Sequence, residues 1–386
     1  MAKPKNNEEL DHLDSHQEFN AFSTDDAFDY PQVEKIKEAV LQKLQWLKGQ
    51  INKKNLKEAW KFCKKNCMLN KLKKRLPLKF MHKISDSWKT LITAVLLFLF
   101  FYYSIGSMFA EKIDLKTGYK VSVHNTPTFE TTTGMAFLLK REVDKKMWTP
   151  NLPLIFPAYV LDNMPNFQIG IVSAVRDFVA SLRHLEQNTE AQQKNIDKAY
   201  SLLNYPPDVW ILSKQSKFKL APSSNSQYRK AGKELRQYSR NGVYTANAPD
   251  LSYLLGKISN SLQKLTAKSE EYQREKSSNW LDFSSDNLFY YNRGYAFALW
   301  QMGKVLGADY KSVILEQDLY QEWSYMVSSL RKAAEFSPLI VRNGKANSLT
   351  APNHLLMQGY YLMRASASAE KICASLNQRN DNVSED

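Results

Sequence analysis

The apolar positions of this chain fall into two kinds of run. From Leu91 to Ala110 the sequence reads LITAVLLFLFFYYSIGSMFA, with no charged residue and no polar stripe. At about 1.5 Å of rise per residue, a helix of that length spans about 30 Å, the thickness of a bilayer's hydrocarbon core. A buried soluble helix normally keeps a polar face. The stretch 90–110 is therefore predicted to be a transmembrane helix. Everywhere else the apolar residues recur at helical spacing. Ahead of the span, Ile36, Val40, Leu44, Leu47 and Ile51 share one face while lysines fill the other. Leu56, Trp60, Cys63 and Cys67 form a second such face, and Pro77 ends it before the span.

After the span, Gly118–His124 has the alternation of a short strand or extended linker, and Thr133–Lys145 reads as a helix. Pro150, Pro153, Pro157 and Pro165 then mark an ordered crossing loop, because proline fixes φ and removes a donor. Its Leu154, Ile155, Phe156, Tyr159 and Val160 predict that it packs down onto a core. From Phe167 onward the 3.6-residue period dominates. Val172, Val175, Phe178, Val179, Leu182 and Leu185 define one helix, and Ala191–Leu203 a second. Ser226–Arg240 and Asn247–Arg274 follow. The next helix is predicted to be capped at Ser285 or Asp286. Another runs from Asp309 to about Phe336, and Asn353–Asn377 is the last. The predicted fold is mainly α: a single transmembrane helix followed by a multi-helix domain, without an internal repeat of fixed period.

Charge divides the chain further. The net charge of +14 is uneven: residues 1–34 carry two lysines against nine acids, and residues 35–90 carry seventeen Lys/Arg against three. The basic excess before the span places the N-terminus in the cytoplasm and the long C-terminal part outside. The span lies too deep in the chain for a cleaved signal, so it is read as a signal-anchor. The expected organisation is an acidic tail over 1–31, basic amphipathic cytoplasmic helices over 32–89, the span over 90–110, and an extended, proline-rich connection over 111–165. An α-helical periplasmic domain over 166–377 and a polar tail over 378–386 complete it. Lys71, Lys73, Lys74, Arg75, Lys79 and Lys83 are the expected contacts to an anionic inner leaflet. The positive-inside bias accounts for that charge, so no nucleic-acid partner is expected. Cys63 and Cys67 fall before the span and Cys373 after it, which predicts no intrachain disulfide for Cys373.

The motifs of well-known chemistry are missing: no P-loop, dinucleotide fingerprint, GxSxG, HExxH or CxxC occurs. His124, His184 and His354 have no His or Cys at ligand spacing, so neither metal nor cofactor is expected. Asp162, Asp177, Glu186, Asp286 and Glu335 offer carboxylates for a glycosidase-like pair, but spacing selects no two of them. The aromatic cluster around Phe289 and Tyr290 is more informative. Phe289, Arg293, Ala296 and Trp300 share a helical face, and a buried Arg293 requires a carboxylate or carbonyl partner. Phe289, Tyr290, Arg293 and Trp300 are thus read either as core with one structural polar contact or as a groove for a partner.

Several stretches resemble one family. LDNMPNF (161–167) leads into GIVSAVRDFVASLR, and DVWILS (208–213), SQYRK (226–230) and FYYNRGYAFAL (289–299) follow in order. SPLIVRNG (337–344) and NHLLMQGYYLMRA (353–365) complete the pattern. Together they resemble the domain-of-unknown-function 2333 family of uncharacterised bacterial inner-membrane proteins. The resemblance covers most of residues 90–377 and implies a periplasmic helical domain, with no catalytic residue assigned. The expected function is that of a structural or assembly component of a cell-envelope complex, working by protein binding. The alternatives are an envelope enzyme acting on cell-wall or lipid substrates, and a membrane-surface sensor using the basic helices.

Overall fold

The computed structural model describes residues 78–110, 113–117, 119, 128–153, 155–160, 162–213, 219–276, 283–344 and 352–384. The expected acidic tail, most of the basic helices, Cys63, Cys67, Lys71, Lys73, Lys74 and Arg75 lie outside the described residues, as does nearly all of the expected strand at 118–124.

Helix α1 (Leu78–Ala110) is unbroken after Pro77. It starts well before the predicted span and takes Lys79 and Lys83 into its first turns, because no breaker separates Leu78 from the apolar run. None of the side chains from Trp88 to Gly106 is buried. By length and composition α1 can cross a membrane. Through Gly106 it belongs to one unit, and the chain from Ser107 onward forms another.

That second unit is a helical domain built around α7 (Phe283–Asp309). α7 packs on α2 (Glu130–Lys140), α3 (Asn163–Leu182) and α9 (Tyr320–Glu335). α4 (Glu190–Leu203) and α5 (Ser224–Arg240) form a pair joined to α2 through α5. α6 (Ala248–Lys276) lies along α10 (His354–Ser384), which also packs on α9. The period predicts the buried faces well: Val172, Val175, Phe178, Val179, Leu182 and Leu185 along and just past α3, and Leu251, Leu254, Leu255, Ile258, Leu262 and Leu265 of α6, are all core, and Phe167 and Ile171 join them.

The boundaries differ where tertiary contacts decide. α2 begins three residues earlier than periodicity suggests and passes into one π-helical turn, Arg141–Lys145. α4 is closed by a capping box between Thr189 and Gln192, and α5 by Ser223, whose side chain accepts from Ser226 N. Neither Ser285 nor Asp286 caps α7; both lie inside its first turn. The single helix expected over 309–336 is two, α8 (Lys311–Glu316) and α9. Asp318 takes a left-handed φ of 54°, and Leu319 N–H donates back to Ile314 O at 2.9 Å, a helix-ending turn that aspartate tolerates. α10 outruns its predicted end and takes most of the expected polar tail into helix, since no breaker follows Asn377. The crossing loop contains one 3-10 turn (Pro157–Val160), and α3 starts at Asn163 with Pro165 in its first turn, where no N–H is needed. The loop is fastened by buried Trp148, Thr149, Asn151 and Ala158, whereas Ile155 and Tyr159 are exposed. Leu212–Ser213 and Lys219–Leu220 form a minimal antiparallel ladder.

Candidate functional site

Along most of their length α6 and α10 lie against one another, with the Ser259 and Ser366 hydroxyls 2.8 Å apart and Ser252 Oγ donating to Asn377 Oδ1 at 2.9 Å. Toward the N-terminus of α10 they leave a groove of about 830 Å³. That size lies within the range of small-molecule and peptide clefts. Thr266, Ser269, Glu270 and Gln273 form its α6 wall. Leu356, Met357, Tyr360 and Met363 line it from α10, each 42–55% exposed. These four fall on one stripe of α10 at helical spacing, and exposed contiguous apolar side chains of this kind mark binding surfaces.

Beneath the groove is a small core of its own: Leu288, Phe289 and Leu355, with Tyr272, Tyr290, Phe336 and Val341 packed around it. Phe336 links floor and wall, its ring 5.7 Å from Phe289 and 5.7 Å from His354. The rim is held by polar contacts at the start of α10. Asn353 Oδ1 accepts Leu356 N at 2.8 Å, and its Nδ2 donates to Gly344 O at 2.6 Å and Asn343 Oδ1 at 3.2 Å. Arg342 N donates to His354 Nδ1 at 3.0 Å. Burial, and then the charge of Arg342, push His354 below the ordinary histidine range, so it is neutral at pH 7. Glu270 is then the charged group of the lining. The groove has the chemistry of an apolar cleft with one acidic edge, suited to holding an apolar segment.

The structure separates the four residues that share a face in sequence. Phe289 is fully buried in the groove's floor, and Tyr290 packs beside it. Arg293 is buried and meets a carbonyl: its Nε donates to Ala334 O at 2.8 Å, with the guanidinium 5.8 Å from the Tyr290 ring centre. Burial pushes its pKa down. Trp300 has different surroundings, 6.1 Å from Phe297 and flanked by Lys304 and Arg331 at 5.8 and 5.7 Å. Sequence reading missed Phe336 and the Leu356–Met363 stripe. The signal was present in NHLLMQGYYLM, where apolar residues occupy more of the helix than one buried face requires.

The five carboxylates considered from sequence occupy unrelated surroundings. Asp162 and Glu186 are exposed, and Asp286 lies in the first turn of α7. Asp177 pairs with Arg176 and accepts from Tyr295 at 2.9 Å, while Glu335 pairs with Arg331. Among the described residues the buried acids are others, Glu130, Glu142 and Glu234, with Asp309 partly buried. Cys373 is half-buried, donates to Ser252 O at 3.2 Å, and has its thiol pushed up by burial, away from nucleophilic character. His184 is exposed and His354 serves the rim. Among the described residues no group of three or more His, Cys, Asp or Glu could hold a metal ion.

The chain matches one family model over residues 151–253 and 248–379, that of an uncharacterized protein conserved in bacteria, DUF2333. No curated protein and no solved structure matches it. The two matched stretches together span more than half of the chain, and the protein belongs to this bacterial family.

Proposed function

For a member of this family carrying one membrane-competent helix, we propose a single-pass inner-membrane protein with its N-terminus in the cytoplasm. Its helical domain, on the periplasmic side, serves as a structural or assembly component of a cell-envelope complex. The basic run Lys71, Lys73, Lys74, Arg75, Lys79 and Lys83 faces the anionic inner leaflet, where each charge contributes about 1 kcal/mol. The domain works by binding: the groove between α6 and α10 receives an apolar segment of a partner protein.

One observation carries this reading. The stripe Leu356, Met357, Tyr360 and Met363 stays exposed on a helix whose other face is fully packed, beside an open groove of about 830 Å³. A helix used only for packing has no need of four large apolar residues on its outer face.

The test is site-specific photocrosslinking in intact cells, with the photoreactive residue at Tyr360 or Met363 of the full-length protein and a control at exposed Lys233 of α5. A discrete partner adduct is expected at the groove positions and not at the control. Tyr360→Glu should reduce that partner's co-purification by about tenfold, equivalent to roughly 1.4 kcal/mol. It should leave the melting temperature nearly unchanged, because surface substitutions shift stability by about 0.5 kcal/mol or less. Equal labelling at groove and control, or undiminished co-purification with Y360E, would remove the binding role from this groove.

A further inference from the structure

α2 is capped from far along the chain. Asp309, the last residue of α7, accepts Glu130 N at 3.1 Å, Thr131 N at 2.8 Å and Thr131 Oγ1 at 2.6 Å through its two carboxylate oxygens. It thereby satisfies the first amides of α2, which otherwise lack partners. The residue it caps is itself an acid. Glu130 is 5% exposed, and its Oε2 accepts from Tyr119 at 3.0 Å while Oε1 accepts from Thr128 at 3.2 Å. Asp309 thus grips the backbone of a second acid whose side chain is buried, and the charge of that acid acts on it. Tyr119 belongs to the segment 113–119 that leaves α1 in the chain. This segment lies on the domain through Thr117 to Gln301 at 3.3 Å, Lys146 to Asp114 at 3.3 Å, Arg141 to the Asp114 carbonyl, and the Tyr119 ring 5.2 Å from Phe137.

We propose that Asp309 and Glu130 form a proton-gated latch on residues 113–117 and 119, which follow the membrane-competent helix in the chain. With Asp309 protonated, its cap on α2 holds and Tyr119 stays bound to Glu130. With Asp309 ionised, its charge repels the Glu130 side chain, breaks the Tyr119 contact and releases these residues. The groups facing the pair set the sign. Burial pushes Asp309 up to about 7, and the charge of Glu130 adds to the rise, while the hydrogen bonds from Thr131 and Glu130 N oppose it. Burial, then Glu130 and Asp309, raise the Tyr119 hydroxyl, which stays protonated and can only donate to an acceptor that remains in place. Lys304 of α7, lining the same small pocket as Tyr119, has its ammonium pushed down by burial and by Arg331. Because Asp309 is raised in the fold, its stabilising contribution is complete below its ordinary value of 3.8 and is lost as pH rises through about 7.

The experiment is amide hydrogen exchange on the full-length protein in detergent from pH 5.5 to 8.5, corrected for intrinsic rate. It follows peptides covering 113–119 and 128–135. Protection should fall at least about tenfold between pH 6 and 8, the change that one pK unit of differential proton affinity supplies. Asp309→Asn and Glu130→Gln keep an acceptor and remove a charge, so each should flatten the fall to under about twofold. If one fails to fold, the other decides. Tyr119→Phe should leave segment 113–119 weakly protected at every pH. A flat wild-type profile, or a wild-type slope in D309N or E130Q, overturns the latch.

Discussion

Replacing Gly294 by alanine is expected to abolish cooperative folding of the helical domain. α3 and α7 cross backbone to backbone. A Cβ at Gly294 would lie 1.9 Å from Phe167 O, and one at Gly170 would lie 2.1 Å from Tyr291 O and 2.9 Å from Tyr295 N. Backbone atoms cannot rotate aside as a side chain can, so the helices would have to separate. That separation would open the contact holding Phe167 against Phe297, 5.6 Å apart, and with it the Ile171 and Val175 layer. Overfilling an adaptable core costs about 1–3 kcal/mol. Separating the domain's central helix pair exceeds that and consumes much of the roughly 5–15 kcal/mol that holds a domain together. Gly170→Ala should behave alike. Gly256, with nothing near its missing Cβ, is the control. Gly256→Ala should raise stability by about 0.8 kcal/mol through helix propensity. Thermal unfolding followed by circular dichroism separates the cases: a Tm loss above about 10 °C, or no transition, for G294A, and a gain of about 2–3 °C for G256A. A G294A melt within about 2 °C of wild type would mean that the close crossing does not exist.

That crossing also shows where the sequence stops being readable. The α3 and α6 faces could be read directly, because one side of each helix meets core and the other meets water. α7 is apolar almost all round, since α2, α3 and α9 each take a share of it. A helix wheel can therefore place Phe289, Arg293 and Trp300 on one face without revealing that Phe289 floors a groove while Trp300 is held between two cations. α10 presents the same ambiguity: Leu362, Ala369 and Ile372 are core and Met357, Tyr360 and Met363 are not, a distinction made by which side of α10 its neighbours cover. Local caps such as Thr189–Gln192 leave a local mark. The cap of α2 by Asp309 joins residues 178 positions apart, and no window of the sequence contains both. The membrane-competent helix α1 is the opposite case, because its signal is composition over one uninterrupted run.

Arg141→Met is expected to destabilise the domain by about 3–5 kcal/mol at pH 8 and by clearly less at pH 5. Arg141 and Glu142 form a buried ion pair at the π-turn after α2, with the Glu142 side chain fully inaccessible and the Arg141 guanidinium 5.1 Å from the Phe297 ring centre. Gln168 of α3 ties this pair to the crossing loop. Its Nε2 donates to Glu142 Oε2 at 3.2 Å and to Met147 O at 3.0 Å, and its Oε1 accepts Thr149 N at 2.9 Å and Thr149 Oγ1 at 2.8 Å. Met147 is held there with a left-handed φ of 62°, which a non-glycine residue adopts only when its surroundings fix it. Burial pushes the Glu142 carboxyl above its usual range, while Arg141, Gln168 and Lys146 pull it back. Methionine keeps much of the stem's packing and removes the charge, leaving burial opposed only by Gln168 and Lys146. Removing one partner of a buried pair costs about 3–5 kcal/mol because the other charge remains unpaired. A carboxyl raised in the fold is stable there when protonated, so its contribution is present at low pH and lost as pH rises. The penalty of R141M must therefore grow between pH 5 and 8. Glu142→Gln added to R141M should recover most of the loss at pH 8 and little at pH 5, a non-additivity that two independent surface changes would not show. Urea unfolding of the four proteins at both pH values measures it. A penalty of equal size at both would mean that the lost packing of Arg141 over Phe297, and not the stranded charge of Glu142, is what the arginine is there to prevent.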